Sequence, residues 1–167
     1  MTGNGSSDSA RPALLGCYSN FTFLTGASHP AEMVAAAVQS GWQAIGIADV
    51  NSLAGMVRAH MAARDHAIRL LVGVRLRPAD GPDVIVHPCD RDGYEGLSAL
   101  LSAANMRGTK AAPILHLADL ARLPAPTALL VMPPLHPDAD YQVHLQMITQ
   151  LAKGQVFAGM CLYRDGA

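Results

Sequence analysis

Residues 43–60 read "QAIGIADVNSLAGMVRAH". From Ala44 to Ala48 the run is short and apolar, as expected of a strand buried on both sides. Asp49 and Asn51 interrupt it. Beyond them the spacing changes. Leu53, Met56, Val57, His60 and Met61 fall along one stripe, which predicts a helix over "NSLAGMVRAHMAARDHA". A buried strand that runs directly into an amphipathic helix is the repeating unit of a parallel sheet covered by helices.

The same unit recurs on either side. "ALLGCYS" is expected as a first strand. After a Gly/Ser loop, "HPAEMVAAAVQSG" has Pro30 at its first helical position, Glu32 in its first turn and Gly41 as its stop. Met33, Val34, Ala37 and Val38 share one face of that helix. "IRLLVGVRLRP" and "GPDVIVHP" predict two strands joined as a hairpin. "DRDGYEGLSALLSAANMRG" predicts a helix, although Gly93 and Gly96 weaken its first turns. "LHLADLARL" reads as a short helix, "TALLVMPP" as a strand, "DADYQVHLQMITQLAKG" as a helix and "QVFAGMCLYR" as a last strand. The Pro-rich segment Leu123–Pro126 is a loop within the domain. The chain is therefore expected to be α/β with a mostly parallel sheet. Periodicity does not separate an open sheet from a barrel. A closed barrel would want further βα units after the final "RDGA", so an incomplete barrel is expected. Residues 1–12 read as a disordered leader, and 13–167 as the domain.

The chain has 167 residues, half of them hydrophobic and only 15% charged, enough for a sizeable core in one domain. Aromatic residues are only 5%, so Ala, Leu, Val and Met do the packing. Twelve basic residues against thirteen acidic ones give a net charge of −1, which supplies no global field for nucleic acid. Cys17, Cys89 and Cys161 are odd in number and far apart, and are read as reduced cytosolic thiols. "LLGC" at Leu14–Cys17 has the look of a lipoprotein signal, but "MTGNGSSDSARP" before it is polar where such a signal is basic and then apolar. No apolar run is long enough to span a membrane. A soluble, cytoplasmic protein is expected.

Folds of this class place their sites at the carboxyl ends of the strands. Those ends are Tyr18-Ser19-Asn20, Asp49-Val50-Asn51, the region Arg75 to Pro78, and Pro133-Pro134. Asp49 is the one carboxylate placed like a ligand. It equally suits a cap for the following helix or an acceptor for loop amides. His60 and His66 are six apart and do not share a helix face. "HPC" at His87–Cys89 has short spacing, with no further donors near in sequence. His136 and His144 read as surface residues. Ser19 has no evident His/Asp relay or nucleophile elbow. Arg58, Arg64 and Arg69 read as a solvated helix face rather than a basic patch.

The segment "SNFTFLTGASHPAEMVAAAVQSGWQAIGIADVNSLAGMVRAH" resembles the start of the polymerase-and-histidinol-phosphatase (PHP) domain, and more narrowly that of the error-prone, DNA polymerase III alpha-like subunits of bacteria. "SNFTFLTGASHP", "NSLAGMVRAH", "LLVGVRL" and "DRDGYEGLSALL" follow that family's order and spacing, and "LVMPP" resembles its error-prone branch. The resemblance implies an incomplete (β/α) PHP-type barrel. It also implies a metal site drawn from His-x-His after the first strand, Asp-His after the second and Glu after the third, with further His and Asp from later strands. On this chain those positions hold Gly16 and Tyr18, then Asp49 and Val50, then Arg75. Only Asp49 is a plain ligand, and one carboxylate does not hold a hydrolytic metal cluster against water. Cys17 lies between the two lost histidine positions. On a strand it points opposite to them, as a small buried packing residue. An Asp49–Arg75 ion pair is expected to take the place of the metal.

The expected function follows from that resemblance. The chain reads as a degenerate PHP module of the error-prone DNA polymerase lineage, which serves DNA replication and translesion repair. It lacks the polymerase palm and is by itself a non-catalytic scaffold or a gene fragment. No cofactor is expected, the ancestral divalent metal site being lost. The expected partners are other polymerase or mutasome subunits, with DNA reached only through a larger assembly and no membrane. Two alternatives stand beside it: a metal-dependent phosphoesterase or exonuclease that still uses Asp49, and a protein-interaction module whose missing barrel strands leave apolar surface uncovered.

Overall fold

A computed structural model describes residues 13–109, 112–134 and 136–159. Six strands form one sheet in chain order: β1 (Ala13–Cys17), β2 (Ala44–Val50), β3 (Arg69–Leu76), β4 (Val84–Pro88), β5 (Thr127–Val131) and β6 (Gln155–Ala158). β1, β2 and β3 run parallel, β4 is antiparallel to both its neighbours, and β5 and β6 are parallel again. The sheet curls into a half-barrel. The expected hairpin is β3–β4. The expected last strand is described only as far as β6, and Cys161 and the leader lie outside the described residues.

Strand alternation divides the sheet into two faces. Ile45 and Ile47 of β2, Val74 and Leu76 of β3, Val84 and Val86 of β4, and Leu129 and Val131 of β5 stand on the face covered by helices, and all are buried. α1 (Pro30–Gln39) and α2 (Met56–Asp65) cover its first half. α3 (Arg91–Arg107), a 3₁₀ helix over Leu117–Arg122 and α4 (Ala139–Leu151) cover the second. The opposite, inner face carries Gly46, Ala48, Gly73, Arg75, Ile85, His87 and Leu130.

Two elements differ from their sequence reading. "LHLADLARL" winds as the tighter 3₁₀ helix. α2 starts at Met56, because Asn51 turns the chain with φ +48° and its side-chain oxygen accepts the Arg77 amide at 3.0 Å. The stripe expected on α2 is also rotated. Met56, Ala59 and Ala63 are buried, whereas Val57 and Met61 are exposed, as is His60. Small alanines let α2 approach α1 and the sheet closely, and the larger side chains are left outside. α3 tolerates its early glycines for a steric reason. A Cβ on Gly93 would stand 2.7 Å from the Pro126 carbonyl, and one on Gly96 2.5 Å from Pro124. The Leu123–Pro126 loop packs directly on that bare helix surface. Asp90 caps the helix by accepting the Gly93 amide at 2.8 Å.

Candidate functional site

The carboxyl ends of β1, β2 and β3 come together at one mouth of the half-barrel. Asp49 ends the buried run of β2 and is fully buried. Its carboxylate accepts three short hydrogen bonds from the β1–α1 loop: the Ser19 amide at 2.7 Å, the Ser19 hydroxyl at 2.6 Å and the Thr22 hydroxyl at 2.7 Å. The hydroxyls pass the network on. Ser19 Oγ accepts the Phe21 amide at 3.2 Å and Thr22 Oγ1 accepts the Val50 amide at 3.1 Å. Of the readings open for Asp49 in the sequence, the structure displays the acceptor for loop groups. Ser19 is part of this structural network rather than a nucleophile with a relay.

Arg75 has other partners. Its Nε donates to Asp83 at 2.8 Å, its Nη1 donates to the Tyr18 hydroxyl, and its guanidinium lies over the Tyr18 ring, 5.1 Å from the centroid. Its side chain is only 16% exposed, so this is a sheltered ion pair reinforced by an aromatic face. Arg77 adds a longer contact to the same carboxylate, at 3.3 Å.

The expected Asp49–Arg75 pair is not formed. In the β2–β3 register Asp49 lies beside Val74, and Arg75 lies beside Val50. Adjacent strands in register point paired residues to the same side, so the two charges leave the sheet on opposite faces. Asp49 joins the helix side and Arg75 the inner side.

The first strand is altered in its backbone as well. Its pairing with β2 shifts between Leu14 and Cys17, and Gly16 sits there at φ +70°. A Cβ on Gly16 would stand 2.8 Å from Ile85 Cδ1. A histidine at that position would be strained in backbone and blocked in space. Cys17 packs partly buried against the α1–α2 cluster, and burial pushes its thiol up to about 11. It is a poor nucleophile and a poor thiolate ligand.

The remaining candidates stay apart. His60, His66 and His136 are exposed. His144 is half-buried on α4, in the wall of a cavity of about 410 Å³ beyond Arg75. Arg58 lies 5.8 Å over the Phe21 ring, Arg64 lies 3.9 Å from Asp65, and Arg69 is exposed, so the three form a solvated surface. Among the described residues no group of three or more His, Cys, Asp and Glu side chains is placed to hold a metal ion. The residues at this mouth do not fit a hydrolytic metal cluster. Asp49 already accepts from three donors, and Tyr18 and Arg75 are bound to each other. Asp83 was absent from the sequence-level candidates, although its position in "GPDVIVHP", across the hairpin from Arg75, is the signal that finds it.

Among the described residues no helix is long and apolar enough to cross a membrane. A family model described as the PHP domain matches residues 15–152. An error-prone DNA polymerase of Rhodopseudomonas palustris is 42% identical over 160 residues, which cover 92% of this chain and 14% of that protein. One from Dechloromonas aromatica is 44% identical over 117 residues, covering 70% of this chain and 11% of that protein. The chain thus spans about one seventh or less of the length of these relatives. Among solved structures, a protein of Bifidobacterium adolescentis described as a candidate metal-dependent phosphoesterase superposes with a TM-score of 0.66 at 14% identity, covering 86% of this chain and 76% of that one. An amidohydrolase from Chromobacterium violaceum, with sulfate bound and no metal, gives 0.64 at 16% identity, covering 89% and 76%. These two likenesses concern the fold.

Proposed function

The chain belongs to the PHP domain family, at the amino-terminal region of error-prone DNA polymerases, and from that premise we propose that it is a non-catalytic PHP module. In this reading it has exchanged its hydrolytic centre for a metal-independent network and serves as a scaffold for a polymerase of damage-tolerant synthesis. The observation that carries it is the mouth of the half-barrel. Arg75 is bound to both Tyr18 and Asp83, and Asp49 is turned to the other side of the sheet, where it accepts three donors from its own loop. Hydrolysis of a phosphodiester by this family's route needs several free donors to fix cations and activate water. Arg75 carries no lone pair for a cation, and Tyr18 and Asp49 are already engaged with partners inside the chain.

A scaffold role also accounts for exposed apolar residues on the same end of the molecule. Phe23 is 84% and Leu24 91% exposed at the tip of the β1–α1 loop, and Leu24 holds φ +62°. Such side chains suit contact with other polymerase or mutasome subunits, with DNA reached through that assembly. The phosphoesterase reading has the identity of Asp49 and a fold shared with a protein described as a candidate metal-dependent phosphoesterase in its favour.

The test is metal content of the purified chain after incubation with manganese or zinc, measured alongside hydrolysis of bis(p-nitrophenyl) phosphate. The expected result is substoichiometric metal and no turnover. Stoichiometric metal together with turnover would reverse the reading.

A further inference from the structure

The inner face of the sheet holds a second cavity, at the end of the half-barrel away from the Arg75 mouth. It has a volume of about 620 Å³, within the range of ~300–1,000 Å³ typical of small-molecule sites. Leu15, Leu71, Leu130, Phe157 and Pro88 give it an apolar wall. Arg69 and Cys89 also line it, both exposed to solvent, and His87 of β4 is the buried polar residue of the wall, with a relative exposure of 9%.

His87 is held in a built seat. Its Nδ1 lies 2.8 Å from the Val72 carbonyl oxygen. A carbonyl only accepts, so Nδ1 carries the proton and Nε2 presents a lone pair. The ring crosses the sheet above two strand glycines. A Cβ on Gly73 would stand 2.6 Å from its Cε1, and one on Gly46 would stand 3.1 Å from the same atom. Neither glycine has a positive φ, so backbone conformation does not require glycine at either, and at both the nearest atom a Cβ would meet is in the imidazole. Glycine inside a strand is costly, and two are placed under one ring. Yet Nε2, the atom so carefully positioned, is buried without a hydrogen-bond partner. Burial also holds the ring below its ordinary pKa of 6.5, which keeps the lone pair free of a proton at neutral pH.

We propose that this cavity binds an uncharged, apolar molecule carrying a single N–H or O–H donor, with the donor ending on His87 Nε2. The apolar wall supplies the affinity and the one acceptor supplies the orientation. Leu15, half-exposed on the edge strand β1, approaches within 3.2 Å the same point above Gly46 that the ring approaches. In this proposal the Leu15 side chain moves aside so that the donor reaches the buried Nε2. The site uses none of the mouth residues and is independent of the scaffold reading.

Indole and 1-methylindole are the probes, one with a donor and one without, titrated into the full chain labelled with ¹⁵N in its histidines. Saturable indole binding that shifts His87 Nε2, about tenfold tighter than 1-methylindole, is the expected result. In His87→Phe the two probes are expected to bind equally. No saturable binding, a His87 resonance that does not move, or the same preference in the wild type and His87→Phe would each overturn the proposal. So would a chain that sediments as a dimer and excludes indole, which would assign the face to a second copy. The wild-type titration decides the matter even if the variant does not fold.

Discussion

The two ends of the inner sheet treat their polar groups in opposite ways. At the Arg75 mouth, charge is met by charge and hydroxyls by carboxylate, all from within the chain. At the His87 end, one buried nitrogen beside a cavity is left without a partner. The same sheet thus has one end where Arg75 is paired within the chain and another where a buried nitrogen is not. Ligand chemistry is read from what a side chain has left over, not from which residue types stand near a strand end. By that measure Asp49, the best ligand in the sequence, is held by three donors, and His87, set aside in "HPC" for want of nearby donors, keeps an unpartnered nitrogen.

The strongest way to break the comparison is to open the closed end. Asp49→Ala removes the acceptor of three donors whose residues, Ser19 and Thr22, are 0% and 5% exposed. Orphaned buried donors cost ~1–3 kcal/mol each, and some rewiring is expected, so the loss should be about 3 to 4 kcal/mol in urea unfolding. The change should be independent of added manganese or zinc. A variant that lost less than about 1 kcal/mol, or that was rescued by metal, would show that the loop is held by something else.

The second experiment fills the seat at the other end. Gly73→Ala drives a methyl group into His87, whose ring atoms lie 2.6 and 2.7 Å from the new Cβ position. Overpacking of this kind costs about 2 kcal/mol. If the glycine is there for the imidazole, the cost should fall by at least about 1 kcal/mol in a His87→Ala background, because contacting residues do not behave additively. Equal cost in both backgrounds would place the constraint on the nearby Ile47 carbonyl instead, 3.0 Å from the same point.

Much of this architecture was legible in the chain itself. Alternating apolar runs and capped helices revealed the order of elements, and the Asp-Pro punctuation revealed the β3–β4 hairpin. The substitution pattern at Gly16, Tyr18, Val50 and Arg75 pointed to the mouth before any coordinates. What stayed hidden was whatever depends on parity and register. Asp49 and Arg75 are both at strand ends, and only the pairing of Asp49 with Val74 reveals that they face apart. The α2 stripe misled because apolar periodicity favours the large residues Val57 and Met61, whereas close helix packing buries Ala59 and Ala63. Gly46 and Gly73 looked like ordinary small residues in apolar strands, since one sequence does not tell glycine kept for φ from glycine kept for a neighbour's ring.

The smallest effect expected is one of pH, and it isolates His87. Burial lowers its folded pKa from 6.5, while the hydrogen bond to Val72 opposes that shift only in part. Unfolded, the imidazole takes up a proton near its ordinary value. Between that value and the lower folded one, the unfolded chain therefore binds more protons than the folded chain, and stability must fall as pH falls. The decline should begin near pH 6.5, continue until the folded pKa is passed, and then level off for this group. It should vanish from the difference between wild type and His87→Phe at neutral pH and reappear as a crossing of the two curves toward acid. A donor bound at Nε2 would deepen the dependence, since it needs the same lone pair that the proton takes. Urea midpoints at intervals from pH 7.5 to about 5, with and without indole, measure both, and the range stays above the ordinary carboxylate titration near pH 4. Parallel pH curves for wild type and His87→Phe would mean that the imidazole titrates as freely as one in water, and the sheltered end would then be no different from the solvent around it.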